Sequence, residues 1–124
     1  MIRIQESAED YLETILILSR RQQQVRSIDI VNEMNFSKPS VSIAMKNLRE
    51  KGQIQMDSDG YITLTEEGHK IASQIYERHL LISKLLMQIG VEEQTALEEA
   101  CRIEHDISQD TFEKLKGWAA QQSF

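Results

Sequence analysis

Residues 27 to 64 constrain the fold more than any other stretch of the chain. Ser27 opens a short helical pattern from Ile28 to about Met34, and Asn35-Phe36 turns. Ser37 then stands where an N-cap belongs, before a further pattern from Lys38 to Lys51. Pro39 suits a first helical turn, where no intrahelical N–H partner is lost, and Gly52 suits the position just past a helix end. Two short helices joined by about three residues, the second closing on Lys and Arg, have helix-turn-helix spacing. Directly afterwards, Ile54-Gln55-Met56-Asp57 and Tyr61-Ile62-Thr63-Leu64 alternate like strands around Ser58-Asp59-Gly60, and Asp-Gly is a strong hairpin signal. A helix-turn-helix that runs into a hairpin predicts a winged helix.

The charge pattern bears on what such a unit would bind. Val41, Ala44, Met45 and Leu48 supply the core face of the third helix, which leaves Ser37, Ser40, Ser42, Lys46, Arg49 and Lys51 for the outside. Residues 37–51 hold four basic residues and one acid, Glu50, a local charge of +3. A helix facing phosphates needs that sign. The whole chain carries −6, but residues 1–64 contribute 8 Lys/Arg and 9 Asp/Glu, or −1, while residues 65–124 contribute 6 and 11, or −5. The acid load of the second half therefore does not exclude DNA binding by the first. Many winged helices bind proteins instead. The small, polar and basic outer positions of this one favour double-stranded DNA.

Helices flank the winged unit. Ser7 reads as an N-cap with Asp10 three residues on, and Tyr11, Leu12, Ile15, Leu16 and Leu18 make an apolar stripe to about Arg21. Asp10 and Glu13 share a face of this first helix. As they stand, both are acids that complement the helix dipole, and Asp10 also completes a capping box. Thr65 caps a long helix to about Ile89, whose Ile71, Ile75, Leu81, Ile82, Leu85, Leu86 and Ile89 offer more apolar surface than one small wing can cover. Gly90 ends it, a helix from Glu92 to His105 follows, and Ser108 caps a last helix from Gln109 to about Gln121 with Phe112, Leu115 and Trp118 in a stripe. Surplus apolar helix surface predicts a homodimer. The expected fold is mainly α: a winged helix-turn-helix domain over residues 1–65, then an α-helical dimerisation domain over 66–124.

Other features exclude classes. No apolar run reaches the length of a membrane span. The start MIRIQESAED has neither a basic n-region nor an apolar h-region. A single cysteine forms no internal disulfide, so the expected location is the reducing cytoplasm. No HExxH and no nucleophile elbow is present, and the chain does not read as an enzyme.

The remaining chemistry lies in Glu99-Ala100-Cys101-Arg102-Ile103-Glu104-His105-Asp106. Offsets of three and four residues lie on one face of a helix, so Cys101, Glu104 and His105 point to one place. Thiolate, carboxylate and imidazole all bind divalent transition metals. The alternative is a small buried cysteine beside a solvated Glu-His pair, as in a winged-helix regulator that answers to a non-metal ligand.

Taken together, these motifs resemble the metal-dependent repressors of the diphtheria toxin repressor and manganese transport regulator family. The resemblance rests on Asp10-Tyr11-Leu12-Glu13, Ser37-Lys38-Pro39-Ser40-Val41-Ser42, Leu64-Thr65-Glu66-Glu67-Gly68, Arg78-His79 and Glu99 to His105, in that order and spacing. It implies a homodimer that binds operator DNA when divalent metal is abundant and represses metal uptake. It also implies Fe(II) or Mn(II) as the physiological metal, with Co(II), Ni(II) or Zn(II) able to substitute. His79, Cys101, Glu104 and His105 match ligand positions of the family. Asp10 and Glu13 match carboxylate positions of the manganese type, whereas Cys101 matches the iron type, so the set is a hybrid. Ser37, Lys38, Pro39, Ser40, Ser42, Lys46 and Arg49 fall to the DNA face. The chain is expected to be a short form, without the SH3-like third domain of longer members.

Overall fold

The computed structural model describes residues 8–122, and Ser7, expected to cap the first helix, lies outside the described residues. The order of elements is α1 (Ala8–Arg21), α2 (Ser27–Met34), α3 (Lys38–Glu50), β1 (Ile54–Met56), β2 (Ile62–Leu64), α4 (Glu66–Gln88), α5 (Glu93–Asp106) and α6 (Gln109–Ala120). The chain divides into two compact units, one ending at Ile75 and the other starting at Tyr76, so the division falls within α4. Among the described residues, no helix is long and apolar enough to cross a membrane.

The first unit is a winged helix, and local chemistry sets its boundaries. Asp29 accepts a hydrogen bond from the Arg26 N–H at 2.8 Å and starts α2. Asn35 ends it in the left-handed conformation at φ 58°, which asparagine tolerates better than most residues. Ser37 caps α3 by accepting from the Ser40 N–H. The helix stops at Glu50, one residue before the expected end, because Lys51 is already the cap and Gly52 has φ +75°. Val41, Met45 and Leu48 are fully buried with Leu12, Ile15, Ile30, Ile54 and Ile62, while Ala44 is only partly covered. The inward period of α3 thus meets α1, α2 and the wing in one apolar core.

The wing is an antiparallel pair with register Ile54↔Leu64, Gln55↔Thr63 and Met56↔Ile62. Each strand is one residue shorter than expected. Asp57 Oδ1 accepts from both the Asp59 and Tyr61 N–H groups, which folds residues 57–61 into the turn. On its far side β2 is tied back to the helices, since the Ile62 N–H donates to the Val25 carbonyl at 2.7 Å. Arg26 stacks its guanidinium 4.5 Å above the Tyr61 ring. Thr65 then closes the unit twice over. Its hydroxyl donates to the Gly52 carbonyl at 2.7 Å and accepts from the Gly68 N–H at the start of α4.

In the second unit, the rest of α4 packs with α5 and α6 around Ile82, Ala96, Ala100, Cys101, Phe112 and Ala119. Glu92 is the cap of α5 rather than its first residue. Its carboxylate accepts from the N–H groups of Gln94 and Thr95. The Gln94 N–H first, then the Thr95 hydroxyl and N–H, hold that carboxyl below the usual carboxylate range. Ser108 caps α6 through the Thr111 N–H at 3.1 Å. The expected apolar stripe on α6 splits: Phe112 is buried, but Trp118 is exposed, as are Leu80 and Ile89. Ile89 and Trp118 belong to the apolar surplus seen in the sequence, and Leu80 adds to it.

Candidate functional site

The metal-ligand candidates fall in both units. On α1, Asp10 and Glu13 are 3% and 5% exposed, among Tyr11, Leu12, Ile15 and Leu16. Glu9, beside them, shares the first turn with Asp10 and is exposed, as an acid that only answers the helix dipole can be. A buried carboxylate is costly unless a proton, a hydrogen-bond donor or a cation compensates it, and dipole complementation alone does not call for burial. This burial was not legible in the sequence, because helical period assigns residues to a face without saying what the face meets.

In the second unit the candidates surround Glu104. Ala96, Ala100, Cys101 and Glu104 form the buried face of α5, and the two alanines let this face pack closely. Glu104 is 2% exposed. One of its carboxylate oxygens lies within 4.8 Å of Cys101 Sγ, and one within the same distance of a His79 ring nitrogen. His105 completes the group, with Nε2 3.7 Å from Glu104 Oε1. The helical offsets of three and four residues therefore do bring these side chains to one side of α5.

His79 is half-buried on α4, and its Nε2 lies 3.0 Å from the Leu97 carbonyl. A carbonyl only accepts, so Nε2 carries a hydrogen, which leaves Nδ1 as the ring nitrogen suited to ligate a metal. A histidine that donates its other N–H to a backbone carbonyl has the tautomer and orientation of a metal ligand.

Arg78, quoted in the sequence only beside His79, takes a role here that spacing did not assign it. Arg78 donates to the Glu104 carbonyl and, at 3.0 Å, to the Ile107 carbonyl. Its guanidinium also lies 5.4 Å from the centre of the Phe112 ring. The last carbonyls of a helix have no intrahelical donor, and an arginine is a good partner for them. Arg78 thus pins the end of α5 that carries Glu104 and His105. The signal was a cation one residue from His79, which spacing alone does not join to a helix end 26 residues away.

On the winged unit, Ser37, Lys38, Pro39, Ser42, Lys46 and Arg49 are exposed along α3. Ser40 is half-buried, and its hydroxyl accepts from the Ser37 hydroxyl at 2.9 Å, so this pair is occupied in capping the helix. His69 is exposed and lies 3.4 Å from the Ser73 hydroxyl.

Comparison with known proteins bears on both halves. Residues 3–69 match the profile of the iron dependent repressor N-terminal DNA binding domain, and residues 65–118 match that of the iron dependent repressor metal binding and dimerisation domain. The chain is 34% identical to the HTH-type transcriptional regulator MJ0568 of Methanocaldococcus jannaschii, over 90% of each chain. It is 32% identical to the transcriptional regulator MntR of Escherichia coli, over 90% of this chain and 72% of that one. The solved structure of the manganese regulator SloR superposes with a TM-score of 0.83 at 31% identity, covering 94% of this chain. The chain spans only 54% of SloR.

Proposed function

Since the chain belongs to the iron-dependent repressor family of transcriptional regulators, we propose that it is a repressor that binds operator DNA as a homodimer when Fe(II) or Mn(II) is present. It acts in the cytoplasm as a regulator and not as an enzyme. Residues 1–65 form its DNA-binding domain and residues 66–124 its metal-binding and dimerisation domain. What supports the reading above all is the buried Glu104 carboxylate with His79, Cys101 and His105 around it, in the part of the chain that matches a metal-binding domain.

The donor set fits a divalent transition metal. Glu104 supplies a buried carboxylate, Cys101 a buried thiol, and His79 a ring whose tautomer is fixed by Leu97. Asp10 and Glu13 are assigned as the further carboxylate ligands. Three carboxylates and two histidines exceed the usual four-coordinate, nitrogen- and sulfur-rich structural zinc set. Carboxylates lean to Mn(II), and the thiolate leans to Fe(II). When bound, a divalent metal would supply positive charge beside the Glu104 carboxylate. Trp118, Leu80 and Ile89 provide apolar surface for the second copy. A C2 dimer then offers two copies of α3 to two operator half-sites, the arrangement helix-turn-helix dimers use.

The test is a thermal melt with and without Mn(II), Fe(II) under anaerobic conditions, or Co(II), together with retention of DNA. Metal at 100 times its Kd stabilises by about 2.7 kcal/mol, roughly 10 °C for a chain of this size. An unchanged melting temperature with all three metals would overturn the reading.

Two variant sets probe its parts. Arg78→Met keeps a stem to pack on Phe112 but removes both donors to the end of α5. Weakening of Mn(II) binding by roughly tenfold is expected, as for other groups that orient ligands, with partial recovery in Arg78→Lys. Equal metal affinity in Arg78→Met and the parent would make Arg78 a packing residue only. Lys46→Ala and Arg49→Ala should weaken binding to all duplexes alike, each lowering the slope of log K against log salt by about 1. A slope equal to the parent's removes that residue from the phosphate contacts.

A further inference from the structure

The outer side of α3 carries one residue that phosphate contact does not explain. Ile43 is 62% exposed, the only large apolar side chain of α3 left in the open. At 100° per residue it stands about 200° around the helix from Val41. Val41, Met45 and Leu48 mark the buried face, so Ile43 sits opposite the core, at the outermost line of the helix. Ser42, Lys46 and Asn47, exposed beside it, are polar, and Pro39, one turn before it, is its only exposed apolar neighbour on α3. A β-branched residue is no favoured helix former at a solvated position, so helix propensity gives no reason for isoleucine there, and although Ile43 borders a groove with Ala8 and Tyr11 it stays mostly exposed.

The surroundings select its partner. Residues 37–51 carry +3 in a chain of −6, so the face is complementary to a polyanion. A recognition helix enters the major groove with its N-terminal part toward the base edges. The one apolar feature on those edges is the C5-methyl group of thymine. We propose that Ile43 packs against a thymine methyl in each operator half-site, and so makes this repressor prefer a T·A pair at that position. The inference rests on the proposed function, since it supposes that α3 faces DNA.

The experiment first selects duplexes from a random library with the Mn(II)-loaded protein. Each thymine of the selected duplex is then replaced in turn by deoxyuridine, which differs only in lacking the methyl group. Burial of one methyl is worth about fourfold in affinity, so one thymine per half-site should show that loss, and about fifteenfold when both half-sites are changed. Ile43→Ala should bind the thymine and uracil duplexes equally, while Ile43→Val keeps most of the discrimination. Ile43 is exposed, so the melting temperatures of these variants should match the parent's. Insensitivity to deoxyuridine at every position, or the same sensitivity in Ile43→Ala, would overturn the proposal. Failure to select any duplex would overturn the DNA-binding reading itself, and this inference with it.

Discussion

Glu104→Gln is expected to lose the metal-dependent rise in melting temperature, yet to melt without metal at the parent's temperature or above it. The two directions follow from one fact. Glu104 is a buried carboxylate on the Ala96–Ala100–Cys101 face of α5, with the donor atoms of Cys101, His79 and His105 near its oxygens. Glutamine keeps the volume and one carbonyl oxygen, so packing against the two alanines is retained. It exchanges a carboxylate for a neutral amide of the same shape, which is less costly to bury, so the metal-free fold gains or stays level. In the metal-bound protein the same charge is what favours a divalent ion over water. Weakening of metal binding by about a hundredfold would cut the gain from 2.7 to about 0.4 kcal/mol at a metal concentration 100 times the parent's Kd. Paired melts with and without Mn(II), with sedimentation to verify the dimer, make the measurement. If Glu104→Gln keeps the full metal gain, the ligands are elsewhere and the candidate site is wrong. If it melts far below the parent without metal, Glu104 is instead a structural hydrogen-bonding group.

The winged unit was legible because its signals are short-range. Ser37 and Pro39 start α3 within three residues, Gly52 ends it, and Asp59-Gly60 turns the hairpin. Each works within a turn or two of its own position, where propensity and geometry act without help from distant residues. The errors are of one residue and have local causes, such as Asp57 drawing the Tyr61 N–H into the turn. In α5 the spacing of Cys101, Glu104 and His105 was enough to place them on one side. His79 had no such link, since it sits on another helix, and only the family resemblance pointed to it. Arg78 and the burial of Asp10 and Glu13 were invisible for the same reason. A helical period names the face of a residue, whereas its worth depends on what another element brings to that face. Trp118 shows the converse: it continues the stripe of the buried Phe112 yet stays exposed, which the period alone does not tell apart.

Gly68→Ala should destabilise the winged unit, although alanine is the better helix former. Gly68 is the third residue of α4, and it is buried. A Cβ at this position would lie 1.9 Å from the Gln53 carbonyl oxygen and 2.9 Å from its carbonyl carbon. Both are backbone atoms, and that oxygen accepts the Thr65 N–H at 3.1 Å, so it cannot turn aside without breaking the bond that joins the wing to α4. Thr65 adds its hydroxyl bonds to Gly52 and Gly68 across the same junction. Relief would have to come from moving the helix start away from the wing, which strains all of these contacts together. The helix preference for alanine offsets about 1 kcal/mol, and overpacking against backbone exceeds it, for a net loss on the order of 3 kcal/mol or roughly 10 °C. Gly117 supplies the control. It lies within α6, and a Cβ there meets nothing within 4 Å, so Gly117→Ala should raise the melting temperature by a few degrees through helix preference alone. Both variants are melted without metal, which keeps the candidate site out of the comparison. A rise in both would mean that α4 does not approach Gln53 this closely. A fall in Gly68→Ala with a rise in Gly117→Ala would explain why the Leu64-Thr65-Glu66-Glu67-Gly68 segment ends in glycine: the wing and the long helix meet there backbone to backbone.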